Sequence, residues 1–242
     1  MNPEWFKVLN KGDDAGEIYI YGLIVEEKWM DEDVTPSWFK DQVAKLKKLK
    51  AINLFVNSPG GGVFAGLTIY NIINRLEATV TAYIDGLAAS IASVVVMAAD
   101  KIIMPKNALM MIHNPWGCAC GSAADMRKEA EILDRAKLSI LSTYAGKTKK
   151  PESELSRMMD EETWMTGTEA KNLGFSDILE EKQEIKACLD GQKFIVNGVE
   201  VDIEKFKSFP KARFSVVPAD AGKPRLINAN HKFLTLKKGV LV

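Results

Sequence analysis

Apolar positions along this chain switch between two periods, and each switch marks a change of element. Glu17-Ile-Tyr-Ile-Tyr-Gly-Leu-Ile-Val25 is rich in β-branched and aromatic residues and predicts a strand. Thr35–Leu49 comes next with Pro36 near its start, and Phe39, Val43, Leu46 and Leu49 fall on one helical stripe. Ala51–Val56 predicts a second strand, Asn57-Ser-Pro-Gly-Gly-Gly62 a turn, and Val63–Leu76 a helix with Leu67, Ile69, Tyr70, Ile72, Ile73 and Leu76 as its apolar surface. The unit then recurs. Thr79–Ile84 predicts a strand, Asp85-Gly86 a turn, and Leu87–Ala99 a helix that is apolar all round and therefore buried.

Two short strands are expected around Lys101–Met104 and Ala108–Ile112, then a small-residue loop over Gly117–Ser122. Ala123–Tyr144 predicts a long, charged amphipathic helix, and Pro151–Met159 and Thr168–Leu173 predict shorter ones. Strands alternating with helices argue for an α/β domain with mostly parallel pairing. After about residue 183 the character changes. Phe194–Asp202 reads as a hairpin about Asn197-Gly198, and beyond it prolines and scattered basic residues read as an extended or poorly ordered tail. The expected organisation is a leader over 1–16, a catalytic domain over 17–183 and a C-terminal extension over 184–242.

Composition narrows the function classes. Lys plus Arg and Asp plus Glu both number 32, so no basic face calls for nucleic acid. No apolar stretch reaches the length of about 18 residues that a membrane span needs, and no basic segment followed by an apolar run marks a secretory signal. Three cysteines argue against a disulfide framework, and with two histidines they match no zinc spacing. A cytoplasmic protein without metal or cofactor is expected.

Chemistry centres on a serine and a histidine. Ser90 stands where a buried helix is expected to begin. Its hydroxyl either caps the free N–H groups there or acts as a nucleophile beside them, where an oxyanion would be stabilised. A serine nucleophile needs a base. His113 closes an apolar strand, whereas His231 lies in the polar tail. The glycines of Asn57–Gly62 serve either a tight turn or the presentation of a backbone N–H. No Lys-Ser/Thr follows them, so a phosphate loop is excluded. A serine–histidine pair also needs a group that fixes the imidazole, and spacing alone does not choose among Asp160, Glu161 and Glu162.

Five blocks in order resemble the ClpP serine peptidases: Asn57-Ser-Pro-Gly-Gly, Ala65–Tyr70, Gly86-Leu-Ala-Ala-Ser90, Met111-Ile-His-Asn-Pro115 and Glu169–Gly174. The resemblance covers roughly residues 17–180. It implies the ClpP/crotonase-like spiral of repeated β-β-α units, with Ala123–Tyr144 as the protruding handle helix. It implies Ser90 as nucleophile, His113 as general base, and the amides of Gly61 and Ile91 as the oxyanion hole. It further implies that Gly62 and Val63 on one side, and Cys118, Ala119 and Cys120 on the other, bind a peptide as an added strand. At the position of the family's aspartate this chain has Glu162, with Asp160 as the competing orienting acid.

The activity that the resemblance implies is that of a serine endopeptidase working through an acyl-enzyme, in heptameric rings stacked as a tetradecamer. Its partners are expected to be a polypeptide substrate and either an AAA+ unfoldase or phage capsid proteins. The tail beyond 184, and a start unlike the axial loops of housekeeping members, liken the chain to the phage branch that acts in prohead maturation. The tail is then a scaffold-like or self-cleaved segment. The alternative is a non-catalytic ring scaffold or inactive paralogue. Hydratases of the same spiral fold leave Ser90 and His113 unexplained.

Overall fold

A computed structural model describes residues 9–10, 15–30, 33–46, 49–181, 187–190, 193–197 and 199–211. Most of the expected leader, the tail beyond residue 211 and His231 lie outside the described residues.

The described strands are β1 (Leu9–Asn10), β2 (Ala15–Ile24), β3 (Ala51–Gly61), β4 (Thr79–Ala89), β5 (Lys101–Pro105), β6 (Leu109–Ile112), β7 (Thr163–Thr166), β8 (Ile178–Glu180), β9 (Ala187–Asp190), β10 (Lys193–Val196) and β11 (Val199–Asp202). The α-helices are α1 (Pro36–Lys45), α2 (Val63–Asn74), α3 (Ile91–Val96), α4 (Ala123–Thr148), α5 (Glu152–Asp160) and α6 (Gly167–Leu173). The first eight strands form one sheet in the order β1-β2-β3-β4-β5-β8, with β6 branching from β4 and β7 pairing with β6. Pairing is parallel from β2 through β8, and β1 and β7 are antiparallel to their neighbours. This is the mixed α/β architecture, with helices packed on a largely parallel sheet, that alternating strands and helices imply.

Side-chain alternation sorts the sheet into two faces. Ile18, Ile20, Leu54, Val56, Ala82 and Ile84 point into the main core, which also takes Phe39 from α1, Ile69 from α2 and every side chain of α3 apart from the polar Ser93. On the opposite face Tyr19, Phe55 and Tyr83 stack across β2, β3 and β4 with ring centroids 4.7 and 5.0 Å apart. Helix starts follow their caps. Thr35 Oγ1 accepts the Trp38 N–H ahead of Pro36, and Ser122–Asp125 and Thr166–Glu169 form reciprocal capping boxes. No helix among the described residues is long and apolar enough to cross a membrane.

Two expectations are corrected. Leu87–Ala99 is not one helix: Leu87, Ala88 and Ala89 end β4 and pair with Leu109, Met110 and Met111 of β6, and the helix begins only at Ile91. An unbroken apolar run has no period of its own, so a buried strand and a buried helix look alike in it. Likewise Asn57–Gly61 is not a free turn, because β3 continues through it along β2 to the Ile24↔Gly61 pair. Strands β7, β8 and β9 are too short to leave an alternation and went unpredicted.

The segment after residue 186 forms a second sheet, β11-β10-β9, antiparallel throughout. It packs on the branch point of the main sheet. Leu189, Phe194, Val196, Val201 and Ile203 share one apolar cluster with Leu87, Ala89, Leu109 and Met111. Buried amides fix its position: Asn57 Nδ2 donates to Val196 O (3.0 Å), and Asn197 Nδ2 donates to Asp85 O (2.6 Å).

Helix α4 is tied to the core by Tyr144, whose hydroxyl donates to Ser93 Oγ (2.8 Å) while Ser93 in turn donates to Ser90 O (2.5 Å). Both residues are fully enclosed. Tyr144→Phe leaves Ser93 Oγ short of a donor and is expected to lower stability by about 1 kcal/mol. A urea midpoint unchanged from wild type would show that this bond contributes nothing.

Candidate active site

Strand register assembles the site. Ala89 of β4 pairs with Met111 of β6, and the Ser90 N–H donates to Met111 O (3.0 Å). Ile112 of β6 pairs in turn with Thr163 of β7. One residue beyond each pairing therefore come Ser90, His113 and Glu162, side by side on three adjacent chain segments. A one-residue slip of either pair would turn a side chain to the other face and scatter them.

The backbone at Ser90 is unusual for a residue with a Cβ: φ is 54° and ψ −131°, at the junction of β4 and α3. Such conformations persist only where surrounding packing enforces them, and they cluster at functional sites. The turn throws the hydroxyl clear of the helix end, and it caps no amide there. Instead Ser90 Oγ lies 2.7 Å from His113 Nε2. Of the two readings of this serine, the structure does not support capping. Beneath the turn, β3 passes so close that a Cβ on Gly60 would stand 2.7 Å from Ala89 O and 2.8 Å from Ser90 Cβ. Gly60 also has φ +94°, so only glycine suits it. Ser58 pins this loop by donating to Gly22 O (2.6 Å) and accepting the Gly60 N–H (3.1 Å).

His113 is largely buried, and that burial pushes its pKa below the ordinary value of 6.5. The Glu162 carboxylate opposes the shift by favouring the imidazolium, while the Lys207 ammonium adds to it. Glu162 is itself enclosed, with 6% of its surface exposed and φ at 53°. Its carboxylate accepts the Lys207 N–H at Oε2 (2.9 Å), and the Ser208 N–H (2.8 Å) and Trp164 Nε1–H (3.2 Å) at Oε1. Asp160 is placed elsewhere. It is half exposed, and its Oδ1 pairs with Lys137 Nζ (2.6 Å) and accepts from Asn114 Nδ2 (2.8 Å).

A cleft of about 810 Å³ opens over Ser90 and His113. Gly61, Gly62 and Val63 line one side, and Pro115 and Trp116 the other. Ile91 sits under the floor, and its amide lies 3.1 Å from where a Gly60 Cβ would be. Cys118, Ala119 and Cys120 are not brought to the cleft. They stand exposed beyond Trp116 in a segment with no strand pairing, so nothing holds them against the opening. Pro115 and Trp116 line the cleft on the side where Cys118–Cys120 were expected, and the three lie further along the same exposed segment. A third wall comes from the second sheet and the 3-10 turn after it, through Lys193, Glu200, Asp202 and Phe206. Sequence reasoning gave Gly60 and Asn57 no role of their own and missed this wall. Gly60 had a signal in the glycine run, but backbone donors such as Lys207 and Ser208 leave none.

Fold and site together define a mixed α/β protein with a largely parallel sheet that carries a serine–histidine pair at the end of a buried strand. The chain belongs to the Clp protease family, whose model, described as Clp protease, matches residues 11–183. It is 31% identical over 179 residues to ATP-dependent Clp protease proteolytic subunit 1 of Chlamydia pneumoniae, covering 67% of this chain and 94% of that one. It is 34% identical over 134 residues to the ATP-dependent Clp protease proteolytic subunit of Oltmannsiellopsis viridis, covering 54% of this chain and 68% of the relative. Among solved structures it is similar to a ClpP1 point mutant from Listeria monocytogenes, with a TM-score of 0.60 and 27% identity over 69% of this chain and 92% of the other.

The electrostatics of His113 are open to direct measurement. With only two histidines in the chain, ring NMR signals resolve its titration once His113→Gln assigns it. The neutral, basic form persists to more acidic pH when the pKa falls, so the midpoint is expected below 6.5. It is expected to rise in Lys207→Met, which removes a repelling charge. A wild-type midpoint at or above 6.5 would contradict the burial argument.

Proposed function

We propose that the protein is a serine endopeptidase whose chemistry runs through an acyl-enzyme on Ser90. The observation that carries this reading is the 2.7 Å approach of Ser90 Oγ to His113 Nε2 at the floor of an open cleft. For Ser90 to donate, Nε2 must be unprotonated and the ring proton must sit on Nδ1, facing the Glu162 side. The low pKa of His113 keeps this form populated at neutral pH.

Ser90 Oγ attacks the peptide carbonyl carbon as its proton passes to His113 Nε2. The resulting imidazolium is stabilised by the Glu162 anion. The carbonyl oxygen gathers negative charge and is received by the amides of Gly61 and Ile91. Gly62 N–H is already committed to Ile24 O (2.7 Å), and a Cβ on Gly61 would fall 2.0 Å from that same oxygen. The chain at Gly61 is thus held too tightly for any side chain, and the family likeness makes its amide a donor to the oxyanion. Collapse of the tetrahedral intermediate breaks the C–N bond as His113 returns its proton to the leaving amine. Water activated by the same imidazole then releases the acyl group and restores Ser90. A peptide enters as an extended strand along Gly61–Val63, opposite Pro115–Trp116.

By the same family likeness the chain assembles into rings, with α4 as the handle between them. Its exposed Met126, Ile132 and Leu138 are apolar surface of the kind that association covers. The extension beyond residue 183, with its sheet over 187–202, is what likens the chain to the phage-type branch, with capsid-associated or unfolded chains as substrates. Sedimentation as a multiple of a ring is expected, and a strict monomer would count against assembly.

The peptidase reading is tested by a fluorophosphonate probe read by intact mass. One adduct is expected on wild type and none on Ser90→Ala. An assembled wild type that takes no label would favour a non-catalytic ring component instead.

A further inference from the structure

The second sheet lies wholly beyond residues 11–183, the span shared with the family. Yet the chain that follows it reaches Glu162, the acid whose charge favours the His113 imidazolium. Lys207 and Ser208 lie in the chain that leaves the 3-10 turn, and their consecutive amides grip Glu162 Oε2 and Oε1 at 2.9 and 2.8 Å. The Ser208 hydroxyl also donates to Glu162 O (2.7 Å), so backbone and carboxylate of Glu162 are held by the same residue.

The segment is anchored rather than loosely apposed. Phe206 meets Trp164 edge-on at 5.3 Å, Phe209 meets Trp164 at 4.9 Å, and Phe209 lies 5.1 Å from Phe194 of β10. Phe206 also faces the His113 ring at 6.2 Å.

Two features decide whether this contact blocks or builds the site. The Ser90–His113 bond is intact at 2.7 Å with the segment docked, and the cleft stays open with Phe206 as part of its wall. A carboxylate offers about four lone-pair sites, and the amides leave Oε2 with capacity for a further donor. Glu162 is a methylene longer than an aspartate and has one more torsion to fix, so an orienting acid of this length gains from external clamps.

We propose that Lys207 and Ser208 are positioning residues of the active site, their amides clamping the Glu162 carboxylate in the orientation that serves His113. The extension is then a working part of the peptidase, acting through Glu162 and touching no reacting atom. This rests on the peptidase reading above.

The test measures the rate of fluorophosphonate labelling of Ser90 in full-length chains, with urea midpoints as a check on folding. Ser208→Pro removes one clamping N–H and the hydroxyl, and is expected to slow labelling about tenfold or more. Ser208→Ala keeps the amide and is expected to slow it about threefold, with Ser208→Thr restoring the wild-type rate. In a Glu162→Ala background, Ser208→Pro is expected to add less than about twofold, because the clamp has nothing left to hold.

Ser208→Pro labelling at the wild-type rate would overturn the clamp while leaving the peptidase reading intact. An equal loss with and without Glu162 would overturn it too, by showing that the segment acts through general stability. A wild type that takes no label overturns the peptidase reading and this inference together. Should Ser208→Pro fail to fold, the alanine–threonine pair decides: loss with restoration supports the clamp, and two wild-type rates overturn it.

Discussion

The pairing of β6 with β4 on one side and β7 on the other is the constraint on which the site depends. Ser90, His113 and Glu162 are far apart in sequence and share no loop. They meet because Ala89↔Met111 and Ile112↔Thr163 fix two registers at once. Those registers are held by burial, since Leu87, Ala89, Leu109 and Met111 face one apolar cluster and Ala88, Met110 and Ile112 face the other. Each fully buried leucine, isoleucine or methionine of this set is worth about 1.5–3 kcal/mol, so a slip that exposed them would cost far more than any single hydrogen bond in the site. Positive φ at both Ser90 and Glu162 is sustained by the same packing.

The apolar cluster that sets the register is also the cluster that receives the second sheet. Leu189, Phe194, Val196 and Val201 complete a face of β4 and β6 that would otherwise be open. Stability of the body and docking of the extension are thus one packing problem. The electrostatics depend on it, because the covering that buries the apolar face also desolvates His113 and brings Lys207 near the ring. Burial depresses the imidazole and Glu162 restores part of the loss, so the neutral ring is favoured.

Much of the architecture is legible from period alone. The stripe of Phe39, Val43 and Leu46, capped by Thr35, marks α1, and the alternation of Ile18, Ile20 and Ile24 with Tyr19, Tyr21 and Leu23 marks β2. Leu87–Val96 is not legible in this way, because a segment buried on all sides carries no periodicity and the break at Ser90 is a backbone event. Ser90 and His113 stand out for chemical reasons, and the choice of Glu162 over its acidic neighbours came from a family likeness. In the structure Asp160 pairs with Lys137, while Glu162 is enclosed and held by Lys207 and Ser208. The extension shows only its hairpin in the sequence. What it contributes at Glu162 are main-chain amides, which every residue except proline possesses.

A crystal structure with a peptide boronic acid bound would test the central claim most directly. Boron is expected bonded to Ser90 Oγ, with a boronate oxygen on the amides of Gly61 and Ile91 and Glu162 still held by Lys207 and Ser208. A boronate bound away from Ser90, or a ligand seated only after the extension has left Glu162, would contradict it.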